Sequence, residues 1–381
     1  MGRRALSLVT SFVLAGAMLI LISPPASATT VGTEAELRAA FASDSQVDLS
    51  ADITLSDCTG PDVGAVVRPN SNPDPVTLDG HGFTITQTCE SNVIVQNALG
   101  ALSVRDVTIT GGDAQGSGGG IFALGDLTVD GSVIENNRAT AAGGGLVANG
   151  AVVVRSSSVV GNGSGLGGGG IQGNLDVTVS DSDVSNNLNG GIATNPSASA
   201  HLTVTNTTVD HNTLAGLGGG IFSGGDATLV YVTITDNSAN QAFASLDVGH
   251  LSSFGTVVTN SAGVANCLVA PGSVSLGYNF SDDDTCGFTA PTDRQNAGDP
   301  HLGPLASNGG PTQTRLPQVG SPLLDAIPAA ACAPGVSTDQ RGVTRPQGGS
   351  CDIGAVEVEV VTPAPPVVPV TPVVVTPRFT G

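Results

Sequence analysis

Lysine is absent from this 381-residue chain, so its twelve basic residues are all arginines, against 32 aspartates and glutamates. The formal net charge is −20. A chain this acidic repels nucleic acids, anionic lipids and polyanionic sugars, so we expect no nucleic-acid partner. Charged residues make up only 12% of the chain and hydrophobic residues 40%, a composition typical of a folded protein.

Tryptophan is also absent, and with two tyrosines few large polar rings are available to stack on a sugar. The chain contains no G-x-S-x-G, H-E-x-x-H or C-x-x-C, the patterns of the nucleophile elbow, zincin and redox or zinc sites. Gly163-x-Gly165-x-x-Gly168 matches the dinucleotide fingerprint by letter but lacks its strand–helix context. We therefore expect no cofactor and no bound metal, and we assign no catalytic residue.

Long apolar runs are confined to the N-terminus. Residues 1–28 combine Arg3 and Arg4, the run LSLVTSFVLAGAMLILI (6–22) and the small-x-small site Ala26-Ser27-Ala28. This order predicts a secretory signal peptide, and the alternative is an uncleaved membrane anchor. The mature protein is then secreted, extracellular or displayed at the cell surface, with no transmembrane segment.

Six cysteines fall into three neighbouring pairs: Cys58 with Cys89, Cys267 with Cys286, and Cys332 with Cys351. Six cysteines behind a signal peptide favour disulfides in an oxidising compartment. Because six cysteines allow 15 pairings, pairing between neighbours is a hypothesis that the sequence leaves open.

The chain repeats itself with a period of about 25 residues, within the range typical of solenoids. The repeat is carried by five equally spaced asparagines and by an aliphatic residue three positions before each: Asn137, Asn162, Asn187, Asn212, Asn237 and Ile134, Val159, Val184, Val209, Ile234. Alternating apolar residues such as Leu127 and Val129 lie further back, and a looser version at Val76 and Leu78 starts the series. From about residue 240 the repeat fades. Glycine triplets precede four of the sheet-forming segments, but Gly190-Gly191 arrives four residues early.

This pattern predicts an all-β fold, a right-handed parallel β-helix with about 25 residues per coil. Short alternating strands bury one face, and the glycines and asparagines exclude helix from the rest of the repeat. Leucine-rich repeats share the period but usually carry a helical segment. Crossovers between parallel strands are right-handed, which sets the hand of the coil.

Stacked coils place equivalent residues about 4.8 Å apart. We therefore expect aliphatic columns inside, an internal ladder of the asparagine amides, and glycines where the chain bends sharply. An outward column reads Arg105, Asp130, Arg155, whose opposite charges should pair across strands. Residues 32–43 (GTEAELRAAFAS) predict a short capping helix, with Thr33 as its N-cap and Leu37, Ala40 and Phe41 over the first coil.

Several side chains could carry chemistry on such a coil, and each has a simpler structural interpretation. An exposed column contains acids two coils apart: Asp126, Ala151, Asp176, His201, Asp226. Other candidates are the bases of a lyase, a His of the kind found in polygalacturonases, and a calcium-binding acid triplet: Arg105, Arg138, Arg155, His81, Asp282, Asp283, Asp284. Surface charge pairing, a turn and solvation are the favoured explanations for these residues.

Two features resemble known families. GGGI or GGGL followed by Ile/Val-x-x-Asn is similar to the repeats of the chlamydial polymorphic outer-membrane proteins, which are surface adhesins, although Ile or Val replaces their Phe. Two C-terminal blocks, GDPHLGPLASNGGPTQTRLPQVGSPLLDA (298–326) and TDQRGVTRPQGGSCDIGAVE (338–357), resemble the bacterial choice-of-anchor Q surface proteins. This second resemblance implies β-helix repeats, secretion and surface display, and it transfers no catalytic residue.

We therefore expect four parts: the signal peptide 1–28, a β-helix with its cap at 29–297, the choice-of-anchor-Q-like segment 298–358 and a Pro/Val-rich tail 359–381. The expected function is non-enzymatic, the presentation of a binding or adhesion surface to an extracellular carbohydrate or a host- or cell-surface ligand by a monomer. The alternative is a polysaccharide lyase or glycoside hydrolase, because β-helices often carry such enzymes and fold alone does not decide function.

Overall fold

A computed structural model describes residues 28–59, 64–196, 200–214, 219–239, 245–259 and 265–359. The predicted signal peptide and the Pro/Val-rich tail, apart from Ala28 and Glu359, lie outside these residues.

The described chain winds through three parallel sheets that run along a solenoid. Sheet 1 has eleven strands in this part of the chain: Thr29–Val31, Gln46–Leu49, Val76–Asp79, Leu102–Arg105, Leu127–Asp130, Val152–Arg155, Val177–Ser180, Leu202–Thr205, Ala227–Val230, Leu251–Phe254, Val274–Gly277. Sheet 2 has ten: Ile53–Leu55, Thr84–Gln87, Thr108–Thr110, Val133–Glu135, Ser158–Val160, Asp183–Ser185, Thr208–Asp210, Thr233–Thr235, Val257–Val258, Phe280–Ser281. Sheet 3 has nine: Val66–Arg68, Ile94–Gln96, Ile121–Ala123, Leu146–Ala148, Ile171–Gly173, Ile192–Thr194, Ile221–Ser223, Leu246–Val248, Cys267–Val269.

Two-residue strands continue the stacking at the corner between sheets 2 and 3. They are Asp113–Ala114, Arg138–Ala139, Gly163–Ser164, Thr213–Leu214 and Ser238–Ala239.

The strand register confirms the predicted β-helix. Leu102 pairs with Leu127, which pairs with Val152, so the coils stack with the period read from the sequence. The inward residues of successive coils form one continuous buried core, as the alternating pattern predicted.

The solenoid is longer than the repeat suggested. A coil containing Gln46–Leu49 precedes the one at Val76–Asp79, and Val47 pairs with Leu78 across a connection longer than the period. Coils also continue past residue 240 as far as Phe280–Ser281. In this part of the chain the number of residues between Leu246 and its strand partner Cys267 is smaller than the period. The expected first coil at Val76 was therefore wrong, whereas the period does fade past residue 240 as expected. Insertions and deletions in the corners hide the period while the strands keep their register.

The five asparagines form the predicted internal ladder. The Asn187 Nδ2 donates to the Val159 carbonyl at 2.9 Å and to the Asn212 Oδ1 at 2.9 Å, and the Asn187 backbone N–H donates to that same oxygen. The Asn187 Oδ1 accepts the equivalent pair of bonds from Asn162. Each amide is buried, so the ladder satisfies the backbone of a corner that water cannot reach.

A second ladder, of hydroxyls that were not predicted from the sequence, follows the corner between sheets 1 and 2. Ser157 N donates to Ser182 Oγ at 3.2 Å, and Ser132 N donates to Ser157 Oγ at 3.0 Å. Thr207 continues the column. The only signal was a serine or threonine at the same position of successive repeats, a residue type that is also common on surfaces.

The glycine triplets serve two purposes. Gly143, the first of its triplet, has φ of +66°, which a side chain rarely adopts. The third lies against the amide ladder: a Cβ on Gly145 would lie 3.0 Å from the Asn162 amide. Only the first glycine is therefore required for the bend that was predicted, and the third is required for close packing.

The helix α1 (Glu34–Ser43) caps the first coil as predicted. Thr33 accepts a hydrogen bond from Glu36 N, and Leu37, Ala40 and Phe41 are buried. Arg68 fastens the other end of the helix, because its buried guanidinium donates to the Phe41 and Asp44 carbonyls at 2.9 and 2.6 Å. A cation at a helix C-terminus is favourable for the helix dipole.

The C-terminal segment, residues 298–358, folds back along the outer face of sheet 2. It contains the antiparallel pairs Leu302–Ala306 with Thr314–Pro317 and Ile327–Pro328 with Ser350–Cys351, and the 3₁₀ turn Ala329–Ala331. Its buried side chains form a second core with the solenoid: Tyr231, Val257, Phe280, Leu323, Ile327, Cys351, Ile353.

The three disulfides join neighbouring cysteines as hypothesised: Cys58–Cys89, Cys267–Cys286 and Cys332–Cys351. They lie toward the two ends of the described fold and inside the C-terminal segment.

The ladder predicts the effect of removing one amide. Asn187→Ala should lower the free energy of unfolding by about 2–4 kcal/mol, because it leaves buried backbone groups without partners. Asn174→Ala is the control, since the Asn174 amide bonds Asn149 at the surface, and it should cost about 1 kcal/mol or less. Urea unfolding followed by circular dichroism measures both, and equal losses would refute the role of the ladder.

Candidate functional site

The exposed acids of the column that contains Asp126 and Asp176 are tied to the next coil. The Asp126 Oδ1 accepts from Ala151 N and the Asp176 Oδ1 accepts from His201 N, each at 2.9 Å. Asp226 instead pairs with His250 Nδ1 at 3.0 Å. These carboxylates lie along one face, and each bonds the next coil. The histidines beside them are His201, whose backbone N–H donates to Asp176, and His250, which pairs with Asp226.

The predicted charge column forms. Asp130 lies in register between Arg105 and Arg155, and Arg155 Nε lies 2.9 Å from the Asp130 carboxylate. Arg105 bonds the acid of the preceding coil, Asp79, at 2.7 Å. Arg138 lies on a corner strand away from this column. The arginines nominated as lyase bases are therefore not brought together.

His81 lies in the turn between Val76–Asp79 and Thr84–Gln87, as its simpler interpretation predicted. Its ring nitrogens lie 3.6 Å from Asp79 and 3.7 Å from Asp48, too far for hydrogen bonds. At the other end of the solenoid Asp283 accepts from Asn266 N and Thr285 Oγ1, and Asp282 accepts from the Asn266 amide. Two of the acids of the 282–284 triplet thus hold a turn together.

A polar cluster that the sequence did not reveal lies where the C-terminal segment meets the solenoid. Arg315 Nη2 contacts Asp210 at 3.0 Å and Asp236 at 2.5 Å, and it lies 3.3 Å from His211 Nδ1. The His211 Nδ1 is 2.9 Å from the fully buried Asp210 carboxylate. Asp210, His211 and Asp236 belong to neighbouring coils, but Arg315 reaches them from a distant part of the chain.

This cluster borders a cavity of about 520 Å³ lined by Asn186, His211, Asp236, Pro304, Leu305, Gln313 and Arg315. A buried carboxylate that orients a half-exposed imidazole is an arrangement that can support general acid–base chemistry. The same guanidinium contacts both acids and offsets one of their two negative charges, so the cluster also explains how the segment is held on sheet 2.

A notch opens where the repeat loses its period. Ile171 pairs with Ile192, which arrives early in the sequence, and Ile192 pairs with Ile221, which arrives late by the same amount. The connection from Asn187 to Ile192 is four residues shorter than the one from Asn162 to Ile171, and the connection from Ile192 to Leu202 is four residues longer than its counterpart. The corner before Ile192 is thus four residues shorter, and the corner after it four residues longer, than in the neighbouring coil. The shortened corner is recessed.

The notch encloses a cavity of about 460 Å³ without a charged group among its described lining residues: Gly165, Leu166, Gly167, Gly168, Gln172, Asn189, Gly190, Ile192, Ala193, Thr194, Pro196, Leu214, Phe222. Leu166 is 80% exposed at its edge. The dinucleotide-like glycines thus lie in this corner rather than at a helix N-terminus. The early Gly190-Gly191 was the sequence signal of the notch.

Residues 46–269 match the family model described as the right-handed β-helix region. The match covers more than half of the chain and most of the solenoid. This chain belongs to the right-handed β-helix family. A search of curated proteins found no match.

In the described part of this β-helix protein, no α-helix is both long enough and apolar enough to cross a bilayer.

The cluster at the C-terminal segment of this β-helix predicts a large effect of Arg315→Met. Leaving the buried Asp210 without its cation should cost about 3 kcal/mol or more of unfolding free energy. Arg155→Met removes an exposed pair and should cost about 1 kcal/mol or less. Parallel urea titrations of the two variants test this, and a loss for Arg315→Met no larger than that for Arg155→Met would contradict it.

Proposed function

We propose that this β-helix protein is secreted or displayed at the cell surface and binds an uncharged extracellular carbohydrate in the notch without transforming it. The observation that carries the proposal is the four-residue exchange between corners, which opens an uncharged cavity on a strongly acidic protein. The rest of the solenoid then serves as a rigid frame that presents this surface.

Charge supports a neutral ligand. A formal charge of −20 repels the polyanionic substrates of pectate lyases, and the described lining of the notch adds no basic residue to offset that repulsion.

The lining chemistry supports a sugar. Ligand sites combine apolar contacts with a few placed polar groups. Phe222 offers a partly exposed ring, and Gln172 and Asn189 offer amides. This combination suits the apolar face and hydroxyl rim of a neutral sugar ring.

Extracellular placement is supported by three disulfides, which persist in oxidising compartments. It also follows from the predicted signal peptide and from the resemblance to surface proteins. The division into a capped β-helix at 29–297, an anchor-type segment at 298–358 and a Pro/Val-rich tail at 359–381, in a monomer, belongs to the same proposal.

Phe222→Ala should weaken binding of the preferred neutral polysaccharide about tenfold, because it removes a ring contact of about 1–2 kcal/mol. Phe122→Ala is a matched control, since Phe122 occupies the same outward position of sheet 3 in a lower coil and does not line the notch. Affinity electrophoresis against neutral and acidic polysaccharides provides the measurement. Binding of acidic chains only, or equal losses in the two variants, would overturn the proposal.

The alternative is a polysaccharide lyase or glycoside hydrolase, and the specific observation in its favour is the Asp210–His211–Asp236–Arg315 cluster beside its cavity. The same polysaccharide panel tests it through release of reducing ends or unsaturated products. Turnover abolished by His211→Ala would assign the activity to this cluster. Turnover lost in Asp126→Asn or Asp176→Asn would instead assign it to the exposed acid column.

A further inference from the structure

The outer face of sheet 2 changes character along the solenoid. In the lower coils it is partly exposed, as at Glu135 and Ser158. From Asp183 upward the C-terminal segment covers it, and Asp183, Ser185, Thr208 and Asp210 become fully buried although they point away from the solenoid core.

Most polar groups at this interface have a partner on the other side. Thr208 Oγ1 donates to Gln340 Oε1 at 2.7 Å, and the Gln340 amide nitrogen donates to Thr312. Asp210 pairs with Arg315. Thr208 and Asp210 on sheet 2 are therefore each matched by a polar group of the C-terminal segment.

Asp183 breaks this matching. Among the described residues neither of its carboxylate oxygens has a hydrogen-bond partner, and the same is true of the hydroxyl of Ser185 on the same strand face. In the strand register Asp183 lies between Ser158 and Thr208, so no basic side chain adjoins it in the sheet.

The charged groups around this interface leave Asp183 uncompensated. Asp210 on the next strand is negative, and the guanidinium of Arg315 is engaged by Asp210 and Asp236. Of the nearby groups on the covering segment, Arg341 is paired with Asp339. The other titratable groups in this region are Asp181, which precedes the strand of Asp183, and His211, which follows Asp210 and lies beside Arg315.

Burying an isolated carboxylate is costly unless it is neutralised. Burial raises the pKa of Asp183 from its ordinary value of 3.8 to about 7, and the negative charge of Asp210 contributes to that rise. A group with a raised folded-state pKa favours the folded state when it carries its proton, and this advantage disappears as pH rises from about 4 to about 7.

We propose that docking of the C-terminal segment onto sheet 2 takes up one positive charge at Asp183, so that this interface is a buried site for a proton or a small metal cation. The shared chemistry is neutralisation of one carboxylate. Without it, the segment should be held less firmly and hydrogen exchange of its backbone should be faster.

The test compares the full chain with Asp183→Asn and with Asp183→Ser, which copies the residue one coil below. Glu135→Gln is the control, because it removes one negative charge from the same sheet face outside the covered part. Urea midpoints are measured from about pH 4.5 to about pH 8.5, a range that brackets the raised pKa. These samples contain a chelator and a buffer whose only cation is organic, so that no metal ion is available. They are then measured at the upper pH with added Na⁺ or Ca²⁺. Hydrogen exchange of residues 338–357 at that pH reports on the segment itself.

We expect the native midpoint to fall relative to both Asp183 variants as pH rises through this range, while Glu135→Gln tracks the native protein. At the upper pH, exchange in residues 338–357 should be about tenfold slower in an Asp183 variant than in the native chain. If the native midpoint at the upper pH stays below that of the Asp183 variants when metal is added, the charge taken up is a proton. If Na⁺ or Ca²⁺ raises the native midpoint but not that of the Asp183 variants, the charge is that cation. A constant difference between the native protein and both variants at every pH and with every cation would overturn the proposal.

Discussion

The stacking of one coil on the next, residue over equivalent residue, is the constraint on which the rest of the structure depends. Every strand in the three sheets pairs with the coil above or below, so no coil can satisfy its backbone alone. The asparagine ladder makes this dependence strict, because four of its buried amides bond both the preceding coil and the following one: Asn137, Asn162, Asn187 and Asn212. A residue at a ladder position must therefore have the right size, polarity and register at the same time.

Strict stacking also explains why the notch can exist. The strands at Ile171, Ile192 and Ile221 keep their pairing although the sequence spacing between them first shortens and then lengthens. The length change is absorbed in two corners, where it shortens one connection and lengthens the next. A β-helix can thus vary its surface by shortening one corner and lengthening the next, while the paired strands and the core between them stay the same.

The C-terminal segment introduces a place where polar matching is incomplete. Arg315 pairs with Asp210 and Asp236, and Gln340 bonds Thr208, but Asp183 has no counterpart among the described residues. Covering an outer sheet face therefore creates an electrostatic requirement that the uncovered coils lack. The cavity proposed to bind a ligand is lined by sheet 3 and its adjoining corners, so ligand binding and segment docking use separate parts of the solenoid.

The sequence alone determined the architecture, because apolar alternation, the asparagine column and the glycine triplets are periodic, and periodicity survives without knowledge of distant contacts. It also predicted the capping helix, suggested the neighbouring disulfide pairs as one of several possible pairings, and showed at Gly190-Gly191 the break in register where the structure places the notch. Only the tertiary structure decided what surrounds His211 and Asp183. Arg315 and Gln340 reach sheet 2 from a distant part of the chain, and no local pattern encodes where a segment that folds back will come to rest.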